Sequence, residues 1–419
     1  MKQIFTILLF LLILTALTPV YSQQRFPKPE FETAYTQPHP TTPEPRQAAL
    51  EYLDVLVLIA VLALAAFLAL RLRSRKGIFW VSVFSLVYFG FYRDGCICPI
   101  GAIQNLTLSF TDPGYSISLP ALLFFLLPLL TALFFGRIFC GAACPLGAIQ
   151  DLLVIKPLSL PAWLRKSLGT LPYIYLGLAV LYAATKTDFI ICRYDPFIGI
   201  FRMNTSFNML LLGVCFLVIN FFVARPYCRF LCPYGVMLNW ASRFSKWHLK
   251  ITPSECIRCK LCEGSCPYDA ISIPAENKSR EAIKNYLPRF ILYAVLIPVW
   301  MSAGGYAVSK SSHILSRANQ DVYLAELLIA HPELKDDPDN IDIQTFLTSG
   351  KSLDTLVKES RVIQQQFHKG GWIFGAFLGL VFGIFLLNQV VFRKIADYEP
   401  HKGDCYSCGR CMDYCPVPE

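Results

Sequence analysis

The sequence predicts an α-helical polytopic membrane protein of about seven spans, carrying a small α+β cysteine-rich domain that a membrane hairpin splits in two. Three observations predict it. Of 419 residues, 54% are hydrophobic and only 16% are charged, whereas a soluble chain of this size exposes far more charge. Apolar runs recur at close to the roughly 20 residues a helix needs to cross hydrocarbon. Two copies of Cys-x2-Cys-x2-Cys-x3-Cys-Pro stand far apart: Cys256, Cys259, Cys262, Cys266-Pro267 and Cys405, Cys408, Cys411, Cys415-Pro416.

In that spacing three thiolates on a tight loop cap three irons of a cubane, and the fourth cysteine reaches a second cluster. Zinc ribbons instead pair two Cys-x2-Cys knuckles. The motifs therefore predict two [4Fe–4S] clusters in a bacterial-type two-cluster ferredoxin domain. One cluster takes Cys256, Cys259, Cys262 and Cys415; the other takes Cys405, Cys408, Cys411 and Cys266. Most of the sixteen cysteines sit in such spacings, so a reducing cytoplasm is expected for this domain.

The elements follow in order along the chain. Residues 1–22 read as a signal peptide, with Lys2 before the apolar run Ile4 to Leu17 and Val20-Tyr21-Ser22 as the cleavage site; an uncleaved anchor is the alternative. Residues 23–48 are a Pro-rich exported arm. Spans are expected near 49–70, 78–92, 118–136, 170–190 and 207–224, making a five-span membrane domain over 49–250. The first ferredoxin half covers 251–285, a span 286–308, an exported helical segment 309–370, a span 371–392 and the second half 393–419. Within 309–370, short amphipathic helices are expected around Val322–Ala330 and Leu353–Phe367. With the mature N-terminus outside, Arg71, Arg73, Arg75 and Lys76 fall inside, as do Arg225, Arg229, Arg243, Lys246, Lys250, Arg393 and Lys394. Lys186, Arg193 and Arg202 fall outside, against the rule. Both cysteine motifs land on the cytoplasmic side of a bacterial inner membrane.

A repeat lies inside the membrane domain. GRIFCGAACPLGAIQD (136–151) and RPYCRFLCPYGVMLN (225–239) share Cys-x3-Cys-Pro-x-Gly, and RDGCICPIGAIQN (93–105) is a third, altered copy. Proline suits the first helical turn, so each preceding cysteine faces free N–H groups and a positive dipole end, both favouring thiolate. Cys140, Cys144, Cys228 and Cys232 are thus candidate ligands of one metal or cluster site; buried cysteines at helix seams are the plainer reading. Cys96, Cys98, Cys192 and, less directly, Cys215 could hold a further centre near the outer face, or form a disulfide with the remainder unpaired.

FCGAACPLGAIQD, RPYCRFLCPYG and CIRCKLCEGSCP resemble the membrane polyferredoxin superfamily, that is the NapH/NosH-type proteins, the membrane half of NosR/NirI-like 4Fe–4S binding proteins and, more loosely, the CcoG/FixG group. The resemblance covers about 78–275 and resumes at 371–419. It implies electron transfer between a quinol pool or cytoplasmic ferredoxin-like donor and a periplasmic flavoprotein, cytochrome or reductase, as a subunit rather than a stand-alone enzyme. The chain lacks the Ser/Thr-Gly-Ala-Thr flavinylation sequence, so no covalent flavin is expected on it. There is no Cys-x2-Cys-His, and all six histidines lie outside the expected spans, so haem is not expected either. A net charge of +9 gathered in loops points to topology and anionic lipid rather than nucleic acid. No Walker A or dinucleotide fingerprint and no intramembrane chain of Asp, Glu or Lys stands out, against ATP coupling, direct NAD(P)H oxidation or proton pumping. A cluster-based redox sensor, or a maturation factor for an exported metalloenzyme, is the competing function.

Overall fold

Apolar helices with proline or glycine at their breaks build most of the molecule. The computed structural model describes residues 47–95, 99–252, 256–274, 286–333, 340–348, 350–390, 395 and 397–417. The expected signal peptide, most of the exported arm, Cys96 and Cys98 lie outside the described residues.

The membrane domain holds α1 (Ala48–Leu70), α2 (Arg75–Ser85), α3 (Pro99–Thr111), α4 (Leu119–Phe135), α5 (Pro145–Leu152), α6 (Ala162–Leu168), α7 (Leu171–Ala184), α8 (Ile190–Tyr194), α9 (Pro196–Arg202), α10 (Phe207–Asn220), α11 (Pro226–Phe230) and α12 (Pro233–Arg243). Next come α13 (Leu261–Ser265), β1 (Ile271–Ser272), α14 (Tyr286–Lys310), α15 (Ser312–Ser316), α16 (Gln320–Ala330), α17 (Ile341–Thr348), α18 (Leu353–Val390), β2 (Glu399–Pro400) and α19 (Arg410–Asp413).

Among the described residues four stretches qualify by length and composition as membrane crossings: α1, the run Ala162–Ala184 formed by α6 and α7, α14 and α18. The expected spans at 78–92 and 118–136 are shorter than a full crossing. α2 has 11 residues and passes into a seven-residue π-helical stretch, Leu86–Tyr92, while α4 has 17. The region expected as a span at 207–224 belongs to a broken pair, α9 and α10, bent by 104°. Sequence hydropathy merged these interrupted pieces into full spans. The amphipathic helix expected at Leu353–Phe367 is likewise no separate element, because it runs without a break into the 38-residue α18. At 1.5 Å per residue that helix is about 57 Å long, well beyond the roughly 30 Å of hydrocarbon, so an end must project.

Packing explains how the pieces are held. α14 and α18 form a tight hairpin: a Cβ on Gly304 would strike the Gly375 carbonyl, and one on Gly379 the Trp300 carbonyl. The Gly375-x3-Gly379-x3-Gly383 stripe therefore lets backbones touch, the small-residue solution for apolar helices. The projecting end gathers Leu324, Leu328, Ile343, Phe346 and Leu356 into its own small core. Within α1 the carboxylate of Asp54 is fully buried, ion-paired to Arg93 Nε at 2.9 Å and accepting from Tyr88 Oη at 2.8 Å. An unpaired charge there would be costly, so the pair fixes the end of α2 against α1.

The two cysteine-rich segments fold together. β1 pairs antiparallel with β2, Ile271 opposite Pro400 and Ser272 opposite Glu399, and His401 N donates to Ala270 O at 2.7 Å. Residues from both segments, including Cys262, Tyr268, Cys405 and Tyr406, join the same hydrophobic core as the membrane helices.

Candidate metal centres

The repeat sets the local geometry at the membrane cysteines. Pro145 opens α5 and Pro233 opens α12, which leaves Cys144 and Cys232 as extended residues capping the two helices. Cys140 lies in a π-helical turn, Phe139–Ala143, and Cys228 in the short α11. The fold brings all four together: Cys232 is raised well above the ordinary thiol pKa, first by burial and then by Cys228, Cys140 and Cys144 beside it. Cys228 is pushed up to about 11, again chiefly by burial, with Arg225 and the Gln150 amide opposing. Gln150 Nε2 donates to Cys228 Sγ at 3.2 Å, and its Oε1 accepts from Tyr227 N at 3.2 Å. One side chain thus fixes both the thiol and its helix.

The ferredoxin-like cysteines divide into two groups around two small voids. One void is lined by Cys256, Cys259, Cys262 and Cys415, the other by Cys266, Cys405, Cys408 and Cys411. In each, three cysteines come from one segment and the fourth from the other. Burial pushes Cys405 up to about 12, with a Ser407 N–H opposing it and neighbouring Cys408 and Cys266 adding to it. Four such thiols cannot ionise together without a compensating cation, and thiolate is the form that ligates. Among the described residues no three His, Cys, Asp or Glu side chains converge on a single ion. Thiols spread around a void suit a cluster whose irons each take one ligand.

The cysteine-rich domain sits directly on the repeat. A Cβ on Gly141, between Cys140 and Cys144, would strike the Tyr406 carbonyl. Tyr406 Oη donates to the Cys228 carbonyl at 3.3 Å, and its ring packs 4.9 Å from that of Tyr268. Asp151 fixes the junction: it accepts from Tyr268 Oη at 2.7 Å, Arg75 at 3.1 Å and Arg410 at 3.2 Å. Burial alone would raise this carboxyl, but Arg225, Arg410 and Arg75 pull it down to about 2.

The third copy has a counterpart that sequence reading missed. Gln104 Oε1 accepts from Ile191 N at 3.0 Å, as Gln150 does from Tyr227 N. Each glutamine follows its Cys-Pro by the same spacing and grips the residue before a cysteine, so Cys192 stands where Cys228 stands in the complete site. Asp195-Pro196 then corresponds to Cys232-Pro233, with Asp195 capping α9. Cys192 Sγ lies 3.3 Å from where a Gly101 Cβ would be, against the first turn of α3. Cys215 sits half-buried within α10, and nothing among the described residues brings it to Cys192. The signal available in the sequence was the shared Gly-Ala-Ile-Gln.

Buried donors without partners test whether anionic groups fit here. Among the described residues Arg137 Nε, Arg225 Nε and Nη2, Arg229 Nη1, Arg410 Nε and Gln104 Nε2 are all buried with no hydrogen-bond partner. Orphan buried donors are expensive. Clusters of cysteine thiolates carry net negative charge and accept N–H···S bonds, so the donor set fits iron–sulfur groups.

A cavity of about 700 Å³ opens beside this junction. Cys228 and Cys232 form part of its wall, Trp240, Phe377 and Val381 make an apolar side, and Arg229, among other cations, lines its polar end.

Comparison with known proteins agrees with the cysteine geometry. A family described as 4Fe-4S binding domain matches residues 117–170 and 205–252, and a second of that description matches 249–272. Two uncharacterised proteins of Methanocaldococcus jannaschii are similar: MJ0750 is 30% identical over 27% of this chain and 47% of its own, and MJ0749 is 42% identical over 14% and 23%. YccM of Escherichia coli K12, provisionally named for electron transport, is 26% identical over 26% of this chain and 33% of its own. The chain therefore spans less than half the length of these curated relatives. No solved structure matches it. Apolar helices and 4Fe–4S binding domains together define the class, a membrane-type protein with iron–sulfur binding domains.

Proposed function

We propose that this chain relays electrons across a bacterial inner membrane, between a quinol or cytoplasmic ferredoxin-like donor and a periplasmic flavoprotein, cytochrome or reductase. The observation that carries the reading is contact: Tyr406, next to Cys405, bonds the backbone of Cys228. Two cysteine groups of the ferredoxin-like domain and one of the membrane domain form a continuous series.

Cys256, Cys259, Cys262 and Cys415 would hold one [4Fe–4S] cluster, Cys266, Cys405, Cys408 and Cys411 a second, and Cys140, Cys144, Cys228 and Cys232 a further iron–sulfur centre. Such groups supply one-electron chemistry. The chain's own part is to place them, exclude water and set charge. Gln150 fixes Cys228, Gly141 admits the Tyr406 loop, and Asp151 clamps the domain by its two segments. A hydrocarbon layer of about 30 Å requires an intermediate centre, the part the Cys140, Cys144, Cys228 and Cys232 site would play. In this reading the ferredoxin-like domain is cytoplasmic and 309–370 is exported. The cavity at Cys228 and Cys232 supports the quinol route, since its apolar side admits an isoprenoid tail and its cations meet a quinone oxygen.

The test is iron and acid-labile sulfide per chain in anaerobically purified protein, with EPR during reductive titration. About twelve irons, with one signal abolished in a Cys228→Ala variant, is the expected result. About eight irons, with no signal touched by that variant, would remove the membrane centre and the relay with it.

A further inference from the structure

The two complete copies of the repeat exchange arginines. Arg137 stands three residues before Cys140, and Arg225 three before Cys228. Each reaches the other copy. Arg225 crosses to the first: its Nη1 donates to the Cys140 carbonyl at 2.6 Å and lies 3.4 Å from where a Gly147 Cβ would be. Arg137 lies, through Nη2, 3.3 Å from where a Gly235 Cβ would be, at the start of the second copy's helix. The glycine of Cys-Pro-x-Gly is therefore the seat of the other copy's guanidinium, a reciprocal arrangement that follows the pseudo-symmetry of the cysteines.

Both guanidiniums also reach the neighbouring domain. Arg137 lies 4.2 Å from the Tyr406 ring centroid and donates to Gly403 O at 3.2 Å, while its Nη2 stands 3.9 Å from Cys140 Sγ. Arg225 lies 5.2 Å from the Tyr406 ring and 5.5 Å from that of Tyr268. Their exposures are 4% and 0%, and Arg225 keeps a left-handed backbone, φ 52°, braced by Asn220 Oδ1 accepting from its N–H at 2.9 Å. Strain of that kind persists only where the surroundings fix it. The carboxylates are shared: Asp151 faces Arg225 at 3.8 Å and also meets Arg75 and Arg410, while Asp404, which faces Arg137, lies 2.8 Å from His401 Nδ1.

We propose that Arg137 and Arg225 are positioning residues common to two redox sites: they set the reduction potential of the Cys140/Cys144/Cys228/Cys232 site and, through Tyr406, of the Cys266/Cys405/Cys408/Cys411 site. A fixed buried cation favours whichever form of a neighbouring group is more negative, which here is the reduced form. One electron leaves the first site and arrives at the second; no bond is made or broken and no proton is required. Two shared cations shift both sites in the same direction and so keep the transfer between them close to balanced. In the third copy Arg93 is bound to Asp54, and the cation facing Cys192 is Arg202.

This inference rests on the cluster reading above, and the experiment separates the two. Anaerobically purified Arg225→Gln, Arg225→Lys and Arg137→Gln are assayed for iron and sulfide, then titrated reductively with EPR. The expected result is native iron content and, in both glutamine variants, at least a tenfold fall in the reduced-to-oxidised ratio at fixed potential for the signal that Cys228→Ala abolishes. For a one-electron couple that is about 59 mV. Arg225→Lys, which keeps the charge, restores most of the ratio. An unmoved titration in glutamine variants with native iron overturns the assignment, and so does an equal shift in the lysine and glutamine variants, since that marks a packing role. Loss of iron from both glutamine variants overturns it too, by making the arginines structural. If instead the parent protein never binds iron beyond about eight per chain, the cluster reading of the membrane site is what fails.

Discussion

Two faces of this molecule repeat one local design and use it differently. At Cys228 and at Cys192 a glutamine from a Cys-Pro helix grips the residue before the cysteine, through Tyr227 N and Ile191 N respectively. At the Cys228 face the design is complete. Gln150 also donates to the thiol, Cys232 caps the next helix, and two buried arginines turn toward the site. At the Cys192 face the cap is Asp195, whose carboxylate already accepts from Phe197 N at 2.9 Å and Tyr227 Oη at 3.1 Å, and Gln104 Nε2 has no partner among the described residues. The comparison teaches that the glutamine clasp is structural and comes with the repeat. Charge and ligand count are what distinguish a candidate redox centre from a packing motif.

Removing one thiol from each face should give the largest contrast. Cys228→Ala is expected to abolish one EPR signal outright and to lower the iron count by about four. Cys192→Ala should leave that signal and the two ferredoxin-like signals unchanged. Loss of the same signal in both variants would show that the two cysteines serve one centre, and the comparison would collapse.

The glutamines offer a smaller and sharper test. Gln150→Leu removes an acceptor from Tyr227 N and a donor to Cys228 Sγ, so about 2–4 kcal/mol of stability should go, with a visible change in line shape of the Cys228-dependent signal. Gln104→Leu loses the Ile191 bond but frees a buried orphan, so the cost should be nearer 1 kcal/mol. Thermal unfolding in detergent reads the difference. Equal costs would mean that Gln104 Nε2 meets a partner, which would favour a second centre at Cys192.

Much of this was legible in the sequence, for reasons tied to particular residues. The spacing leaves the fourth cysteine of each motif beyond its own loop, and each of the two voids is lined by cysteines of both segments. Pro145 and Pro233 opened helices where a fixed φ and a missing N–H cost nothing. Other features were not legible. Hydropathy cannot register a π-helical stretch such as Leu86–Tyr92 or the bend at α9, because both keep their apolar residues while breaking the axis. Nor does spacing say that an arginine crosses to the other copy: Arg137 and Arg225 each stand three residues before a cysteine, and each sits against the glycine of the other copy's helix. Partner choice is decided by long-range packing.

Acid should act on the two faces with opposite sign. His248, beside the Lys402 segment at the Cys228 face, is held down to about 4 by burial, with Lys402 and His401 adding to the effect; Ser245 Oγ is its neighbour at 3.4 Å. Unfolded histidine titrates near 6.5. Between about pH 6.5 and 4 the open state therefore binds a proton the closed state refuses, and closure weakens as pH falls, by about 3 kcal/mol at most. Asp195 is the reverse case. Burial raises it to about 6, against Phe197, Tyr227 and Ile198 bonds that lower it, while an unfolded aspartate titrates near 3.9. From about pH 6 to 4 the closed state takes the proton first, so the Cys192 face tightens by a similar amount. Because the two slopes oppose, the global unfolding midpoint should move little, and amide exchange resolves what it hides. Protection of the 398–408 segment should fall on acidification while that of 190–202 rises. A common direction in both segments would show that one of the two groups is paired in a way this geometry does not contain.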